Sequence, residues 1–207
     1  MVCYCRSWEV AIDVVGQHWA KGDVVTKIFP LFVISLFVAA CAISAVKDYP
    51  VRSPKNFLMD VKVVVDSGDL ENVEFVANRL RIEYGVDRRK PVRDREGSIE
   101  GYRVDMKRIA SSKEYDKKRG GDYGIFWPVK KDFYRAGLSL PIDTGAICAT
   151  PYDLLEVFGD VEKYPVAHRT WWAYMYERKD VNSRAVFSID RGGCISGVYI
   201  SMNHERE

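Results

Sequence analysis

One short segment decides the fold class: Thr150-Pro151-Tyr152-Asp153-Leu154-Leu155-Glu156-Val157-Phe158-Gly159. Thr150 is a favourable N-cap, and proline suits the first helical position that follows it. Asp153 stands where a carboxylate can reach back to the cap. Leucine, valine and phenylalanine then supply an apolar face, and Gly159 ends the helix. The segment therefore predicts a short helix that must pack against another element.

Three runs of strand-forming residues follow this helix. Residues 171–176 are rich in tryptophan and tyrosine, whereas residues 184–189 and 195–200 alternate apolar and polar side chains. The sequence Asp190-Arg191-Gly192-Gly193 between the last two runs is typical of a turn. The end of the chain therefore predicts one short helix packed on a three-stranded antiparallel meander.

The preceding part of the chain predicts further helices and strands. The β-branched residues of 59–65 favour a strand, and apolar residues at helical spacing predict a helix over about 69–84. Short aromatic and aliphatic runs at 122–129 and 138–142, bounded by glycine and proline, predict more strands. We therefore expect an α+β fold of short helices on antiparallel meanders. Two tandem helix-plus-three-strand modules, over 57–142 and 143–207, are an open alternative.

Residues 88–119 carry an excess of basic side chains. They hold twelve Lys and Arg against six Asp and Glu, in a chain whose net charge is only +2. One interpretation is a solvated hairpin or long loop. The other is a cationic surface for anionic lipid headgroups or an acidic partner.

Residues 27–41 have the layout of a secretory signal. Lys27 precedes an uncharged apolar run, and the small residues Ala39 and Ala40 precede Cys41. A positive region, an apolar region and a small-residue cleavage site are the three parts of such a signal. The ending Val38-Ala39-Ala40-Cys41 resembles a bacterial lipobox, in which Cys41 would be lipidated and become the first mature residue.

Two other interpretations of this apolar run lead to different domain plans. As a transmembrane helix, residues 28–46 would rise ~28 Å, close to the ~30 Å hydrocarbon thickness of a bilayer. A buried core helix is disfavoured, because a chain of 207 residues rarely builds a core that hides an all-apolar helix. Under the lipoprotein hypothesis an N-terminal extension and the signal together cover 1–40, a tether covers 41–56, and an extracytoplasmic domain covers 57–207.

The cysteines after the signal suggest a covalent link. If Cys41 is lipidated, Cys148 and Cys194 remain in an exported domain. An even pair in that compartment is more often a disulfide than two free thiols. Such a link would stabilise the fold by about 4 kcal/mol through the loss of loop entropy in the unfolded chain. The alternative is two separate buried thiols.

The last third of the chain resembles a family of bacterial lipoproteins. The residues that carry the resemblance lie between about 145 and 202: Gly145, Thr150, Leu155, Gly159, Trp171, Tyr174, Phe187, Asp190, Gly193, Ile195 and Val198. In this pattern the segment is similar to the small module of the SmpA/OmlA/BamE-type outer-membrane lipoproteins. The resemblance implies a lipid-anchored protein that works by protein binding in cell-envelope or outer-membrane assembly. Modules of this shape also serve as periplasmic enzyme inhibitors or immunity proteins, which is the alternative function.

The same resemblance implies a location. Ala42 follows Cys41 and is not the Asp-type retention signal, which points to the periplasmic face of the outer membrane. The partners are then the bilayer, through acylated Cys41, and a protein of the envelope. A single-span inner-membrane protein with a periplasmic binding domain is the alternative.

Residues suited to catalysis are sparse. Downstream of Cys41 only His168 and His204 could act as an imidazole base, and no nucleophile motif, phosphate loop or metal-ligand spacing accompanies them. We therefore expect no enzyme, no metal, no cofactor and no small-molecule substrate. A nucleic-acid partner is not expected for an exported domain with few stacking positions in its basic segment.

An aromatic strand is the candidate interaction surface. Alternation in a strand would place Trp172, Tyr174 and Tyr176 on one face and Trp171 on the other. If one face packs on the core, the other presents aromatic side chains to a partner. The alternative is that both faces are covered.

Overall fold

Three helices and one antiparallel sheet form the described part of a computed structural model, residues 49–166 and 172–203. The helices are α1 Pro54–Ser67, α2 Val73–Leu80 and α3 Pro151–Phe158. The strands are β1 Ile82–Arg93, β2 Ile99–Ser111, β3 Tyr123–Pro128, β4 Arg135–Pro141, β5 Glu162–Pro165, β6 Trp172–Arg178, β7 Ser183–Ile189 and β8 Ile195–Met202. The α+β class is thereby confirmed.

The eight strands form a single sheet with the order β1-β2-β3-β4-β8-β7-β6-β5. Each half of the chain contributes a meander of four consecutive antiparallel strands. The halves meet where β4 pairs with β8, with Leu138 opposite Ile200. The predicted meander of the last three strands is confirmed, and β5 adds a fourth strand to it.

The helices cover only one face of this sheet. Side chains that alternate along the strands pack under the helices in one continuous core. Its central members are Phe57, Leu58, Val61, Val64, Val65, Ile125, Leu138, Leu140, Leu154, Ala185, Phe187, Val198 and Ile200. The intervening strand residues face away from the helices, so the sheet has one packed face and one face without helices.

Helix α3 has the cap that its sequence predicts. The Thr150 side chain accepts a hydrogen bond from the Asp153 backbone N–H, and the Asp153 carboxylate accepts one from the Thr150 backbone N–H at 2.8 Å. The Gly159 N–H donates to the Leu155 carbonyl at 2.9 Å, which ends the helix. The capping box therefore fixes where α3 begins, at Pro151, three residues after Cys148.

Replacing Thr150 with alanine should lower the free energy of unfolding by about 1 kcal/mol, because the N-cap oxygen is lost. Thr150→Ser is the matched control, since serine retains that oxygen. Urea unfolding monitored by circular dichroism measures both variants. A serine variant as unstable as the alanine variant would contradict a capping role.

The predicted strand at 59–65 is wrong: these residues lie in helix α1. Ser53 caps the helix by accepting from the Asn56 N–H, Pro54 takes the first position, and Gly68 ends it in the left-handed conformation. The five buried apolar residues of α1, Phe57, Leu58, Val61, Val64 and Val65, recur at helical spacing. The caps and this spacing therefore outweigh the β-preference of four valines.

The predicted helix over 69–84 is shorter than expected. Helix α2 ends at Leu80, because Arg81 adopts a left-handed conformation with φ 57° and the chain enters β1 at Ile82. The basic segment 88–119 is largely a hairpin of β1 and β2, as one of its two interpretations proposed.

The folded part of the chain includes residues predicted for the tether. Arg52 is buried, and its side chain forms ion pairs with Glu114 at 2.5 Å and with Asp60 at 2.8 Å. Glu114 is also buried, and it accepts a further hydrogen bond from the Ser112 hydroxyl. This ionic cluster ties the segment before α1 to the loop after β2.

None of the three described helices, α1, α2 and α3, has the length and apolar character that a membrane span requires. The predicted signal and the alternative transmembrane helix both lie outside the described residues.

Candidate functional site

The face of the sheet that the helices leave uncovered contains a trough of about 780 Å³. Strands β2, β3, β4 and β8 form its floor, and residues of both halves of the chain line it. Its lining includes Arg103, Gly124, Phe126, Gly137 and Tyr199. Because β4 and β8 come from different halves, the trough exists only when the two meanders form one sheet.

Glycines let planar side chains lie close to this floor. A Cβ on Gly137 would stand 2.7 Å from the Tyr199 hydroxyl, and one on Gly101 would stand 2.4 Å from the Phe126 ring. Both distances are shorter than real contacts allow, so any larger residue would displace these rings. Glycine inside a strand commonly marks such a close approach. The floor of the trough is therefore shallow at these glycines, and Tyr199, which lies on it, is 45% exposed.

A cationic group lies on the same floor. The Arg103 guanidinium covers Gly124, with its Nη2 only 3.1 Å from where a Cβ would be. Arg103 Nε donates to Asp105 at 2.6 Å, and Lys90 Nζ lies 3.7 Å from the same carboxylate. The hydrogen bond from Arg103 is the main reason that the pKa of Asp105 lies below its usual value. Two cations thus share one carboxylate beside the aromatic rings.

The predicted aromatic surface is only partly exposed. Trp172 is exposed and lies under the Lys163 ammonium, 4.5 Å from the ring centroid. Tyr174 is partly buried against the core. Tyr176 packs edge-on against Phe158 with ring centroids 4.9 Å apart. Trp172 alone among these three presents a large exposed ring.

A polar network holds Tyr176 to helix α1. The Tyr176 hydroxyl donates to the Asp66 carboxylate at 2.8 Å, and Lys62 Nζ donates to that hydroxyl at 3.2 Å. Arg178 lies 3.0 Å from the same carboxylate. Burial alone would raise the pKa of Asp66, but the hydrogen bonds that it accepts from Lys62 and Tyr176 outweigh burial. The pKa of Asp66 therefore lies below its ordinary value. These contacts give Tyr176 a structural role between α1 and β6.

Cys148 and Cys194 form a disulfide, with their Cα atoms 5.1 Å apart. Cys148 lies just before the Thr150 cap of α3, and Cys194 lies in the turn between β7 and β8. The Ile195 N–H donates to the Ala149 carbonyl at 2.7 Å beside it. The disulfide therefore fixes the start of α3 to the start of β8.

Four residues that the sequence singled out for lipidation, catalysis or the aromatic surface lie outside the described residues: Cys41, His168, Trp171 and His204. Their predicted roles stay predictions. Within residues 49–166 and 172–203, no group of three or more His, Cys, Asp or Glu side chains could hold a metal ion.

Comparison of the chain with known protein families, with curated proteins and with solved structures finds no match. The resemblance to SmpA/OmlA/BamE-type lipoproteins therefore stays a prediction from the residues.

The sequence contained an overlooked signal for the trough. Gly101, Gly124 and Gly137 interrupt three otherwise strand-forming segments, and such glycines indicate a bulge or a close approach of another group. The register that places Gly137 diagonally across from Tyr199, two residue pairs along the ladder, is a property of the β4–β8 pairing. That pairing joins residues about sixty positions apart, so local patterns do not specify it.

Proposed function

We propose that this protein is a membrane-attached binding domain that holds a protein partner in the trough on its helix-free sheet face. The observation that carries the proposal is the trough itself, where exposed Tyr199 and the Arg103 guanidinium lie close above Gly137 and Gly124. Tyrosine and arginine are enriched among the interface residues that contribute most of the binding free energy between proteins. A broad, shallow surface of this kind favours a macromolecular partner over an enclosed small molecule.

The attachment half of the proposal rests on the sequence of residues 27–41. Cys41 would carry the acyl chains, and the partner would be a protein of the cell envelope that takes part in its assembly or maintenance. Several acyl chains on one cysteine meet the requirement for more than one anchoring signal. The disulfide between Cys148 and Cys194 supports an oxidising compartment such as the periplasm.

We also infer that the two halves are tandem modules. In each half, one or two helices precede a meander of four antiparallel strands. The two meanders join through their last strands, β4 and β8. The fourth strand in each half differs from the three-stranded unit expected from the sequence. In this arrangement the trough spans the junction between the two modules.

A photo-crosslinking experiment tests the binding surface. Benzoylphenylalanine in place of Tyr199 should give adducts with one envelope protein in intact cells, because position 199 contacts the partner. The matched control is the same replacement at Tyr102, which is 53% exposed in the β1–β2 hairpin, outside the trough. The adducts are identified by mass spectrometry, and purified partner is then titrated against the full chain.

The variant Arg103→Glu should weaken that titrated binding, since it reverses the charge on the trough floor. Adducts that form equally from position 102, or binding that is unchanged by Arg103→Glu, would contradict the trough as the binding surface. The attachment is tested separately, by intact mass measurement of membrane-extracted protein. An acyl mass on Cys41 that disappears in Cys41→Ser supports the lipid anchor, and an uncleaved chain contradicts it.

A further inference from the structure

The outer surface of the helical layer carries apolar side chains that the described residues leave uncovered. Met59 and Val63 lie one turn apart on α1, and Tyr152 and Leu155 lie on α3. Met59 is 49% exposed, Leu155 is 48% exposed, and Tyr152, at 76%, is the most exposed large hydrophobic residue described. These four residues are called the helical apolar patch below.

The patch belongs to one continuous surface. Helices α1 and α3 pack against each other, and Lys55 forms an ion pair with Glu156 across their outer side. Met59 follows Lys55 by one turn, and Leu155 is adjacent to Glu156. The apolar side chains therefore flank a single ion pair on the outside of the layer.

Helix α1 carries apolar side chains on its outer side as well as on its buried side. Met59 and Val63 are exposed beside the charged residues Lys62 and Asp66, and the core covers the opposite side of the helix. Exposed apolar side chains that cluster within a polar rim mark surfaces that bind a protein or a membrane. The outer side of α1 therefore favours a partner that the core does not supply.

The position of the membrane anchor in the sequence indicates which partner covers the outer side of α1. Cys41, the proposed site of the acyl chains, precedes Val51 by ten residues, and Val51 is itself exposed just ahead of α1. Ten residues span at most about 36 Å. Tyrosine, and lysine with its long apolar stem, are the side chains that favour the interface between lipid and water. Both types, Tyr152 and Lys55, stand on this surface.

We propose that the helical apolar patch rests on the surface of the lipid bilayer, as an interfacial contact in addition to the anchor. The proposal rests on the membrane attachment argued under Proposed function. Burial of several apolar side chains at the acyl boundary is the usual source of affinity for helices that lie on a membrane. Because the helices and the trough occupy opposite faces of the sheet, this contact turns the trough away from the membrane, toward a partner.

Hydroxyl-radical footprinting of the full chain in vesicles of phosphatidylethanolamine and phosphatidylglycerol tests the contact. In the fold, Tyr152 is more exposed to water than Tyr102, and Tyr102 is more exposed than Tyr199. The proposal reverses this order: oxidation of Tyr152 should fall below that of Tyr199 in protein that floats with the vesicles. Mass spectrometry of tyrosine-containing peptides gives the rates, and both sites are measured in the same molecules.

The double variant Met59→Glu/Leu155→Glu should restore fast oxidation of Tyr152 while the protein still floats, because the anchor is untouched. Its matched control is Val86→Glu/Ile109→Glu, at exposed apolar positions of the β1–β2 hairpin, which should leave the reversed order unchanged. Floating wild-type protein in which Tyr152 is oxidised faster than Tyr199 overturns the contact but not the anchor. Protein that does not float overturns both. Protection of Tyr152 that disappears as protein is diluted in lipid identifies a second copy as the cover and also overturns the proposal.

Discussion

Replacing Glu114 with alanine is expected to lower the free energy of unfolding by about 3 kcal/mol, because the buried Arg52 guanidinium loses its more buried carboxylate partner and keeps only the pair with Asp60. Both side chains are almost fully shielded from water. Glu114 accepts hydrogen bonds from the Arg52 backbone N–H, from Arg52 Nε and Nη2, and from the Ser112 hydroxyl. Urea unfolding of the full chain at neutral pH measures the loss.

The matched control for this variant is Glu156→Ala. Glu156 also pairs with a cation of the α1 region, Lys55, but both side chains are about half exposed. Exposed ion pairs contribute little to stability because water and salt screen them. If Glu114→Ala destabilises the protein no more than Glu156→Ala does, the ionic cluster does not hold the start of α1 in place.

The same carboxylate makes stability depend on acid. Burial alone would raise the pKa of Glu114, but hydrogen bonds from Arg52 and Ser112 favour the charged carboxylate and together outweigh burial. The folded-state pKa of Glu114 therefore lies below its ordinary value. The stabilising contribution is therefore complete above the unfolded pKa of about 4.3 and is lost as pH falls through the lower folded-state value. Glu114→Ala should accordingly show a shallower loss of stability on acidification than the wild type.

Removing the disulfide is expected to lower the free energy of unfolding by about 4 kcal/mol, since it closes a loop with a sequence separation of 46. The unfolded chain regains the entropy of that loop, while α3 loses its covalent link to β8. Urea unfolding with and without a thiol reductant measures the difference. Cys148 is exposed, so reductant can reach the bond in the folded protein.

The double variant Cys148→Ala/Cys194→Ala is the control for this measurement. It should have the stability of the reduced wild type and should not respond to reductant. A wild type whose unfolding midpoint is the same in both conditions would show that Cys148 and Cys194 are separate thiols, the alternative left open by the sequence.

Local signals in the sequence were reliable where caps and periodicity agree. Thr150, Asp153 and Gly159 specify both ends of α3, because each makes its hydrogen bond within the helix itself. The strands after it follow from alternation, and a turn joins β7 to β8. These elements depend on contacts between neighbours in the chain, which a sequence displays directly.

The valines of α1 show where local preference misled. Val63, Val64 and Val65 favour a strand by propensity, yet Ser53 and Pro54 start a helix whose buried stripe includes Phe57. Weak intrinsic preferences are overridden when an apolar stripe can be buried at helical spacing. The stripe was visible in the sequence, but its weight relative to the β-preference depended on the core it enters.

The sequence by itself determined the α+β class, helix α3 with its cap and the three-strand meander, because the interactions that form them are local. Only the tertiary structure decided that β4 pairs with β8, that Arg52 meets Glu114 and that Tyr199 lies on Gly137. Each of these contacts joins residues about sixty positions apart. Their geometry is set by strand register and by the burial of one face of the sheet, since shifting a strand by one residue moves every side chain to the opposite face.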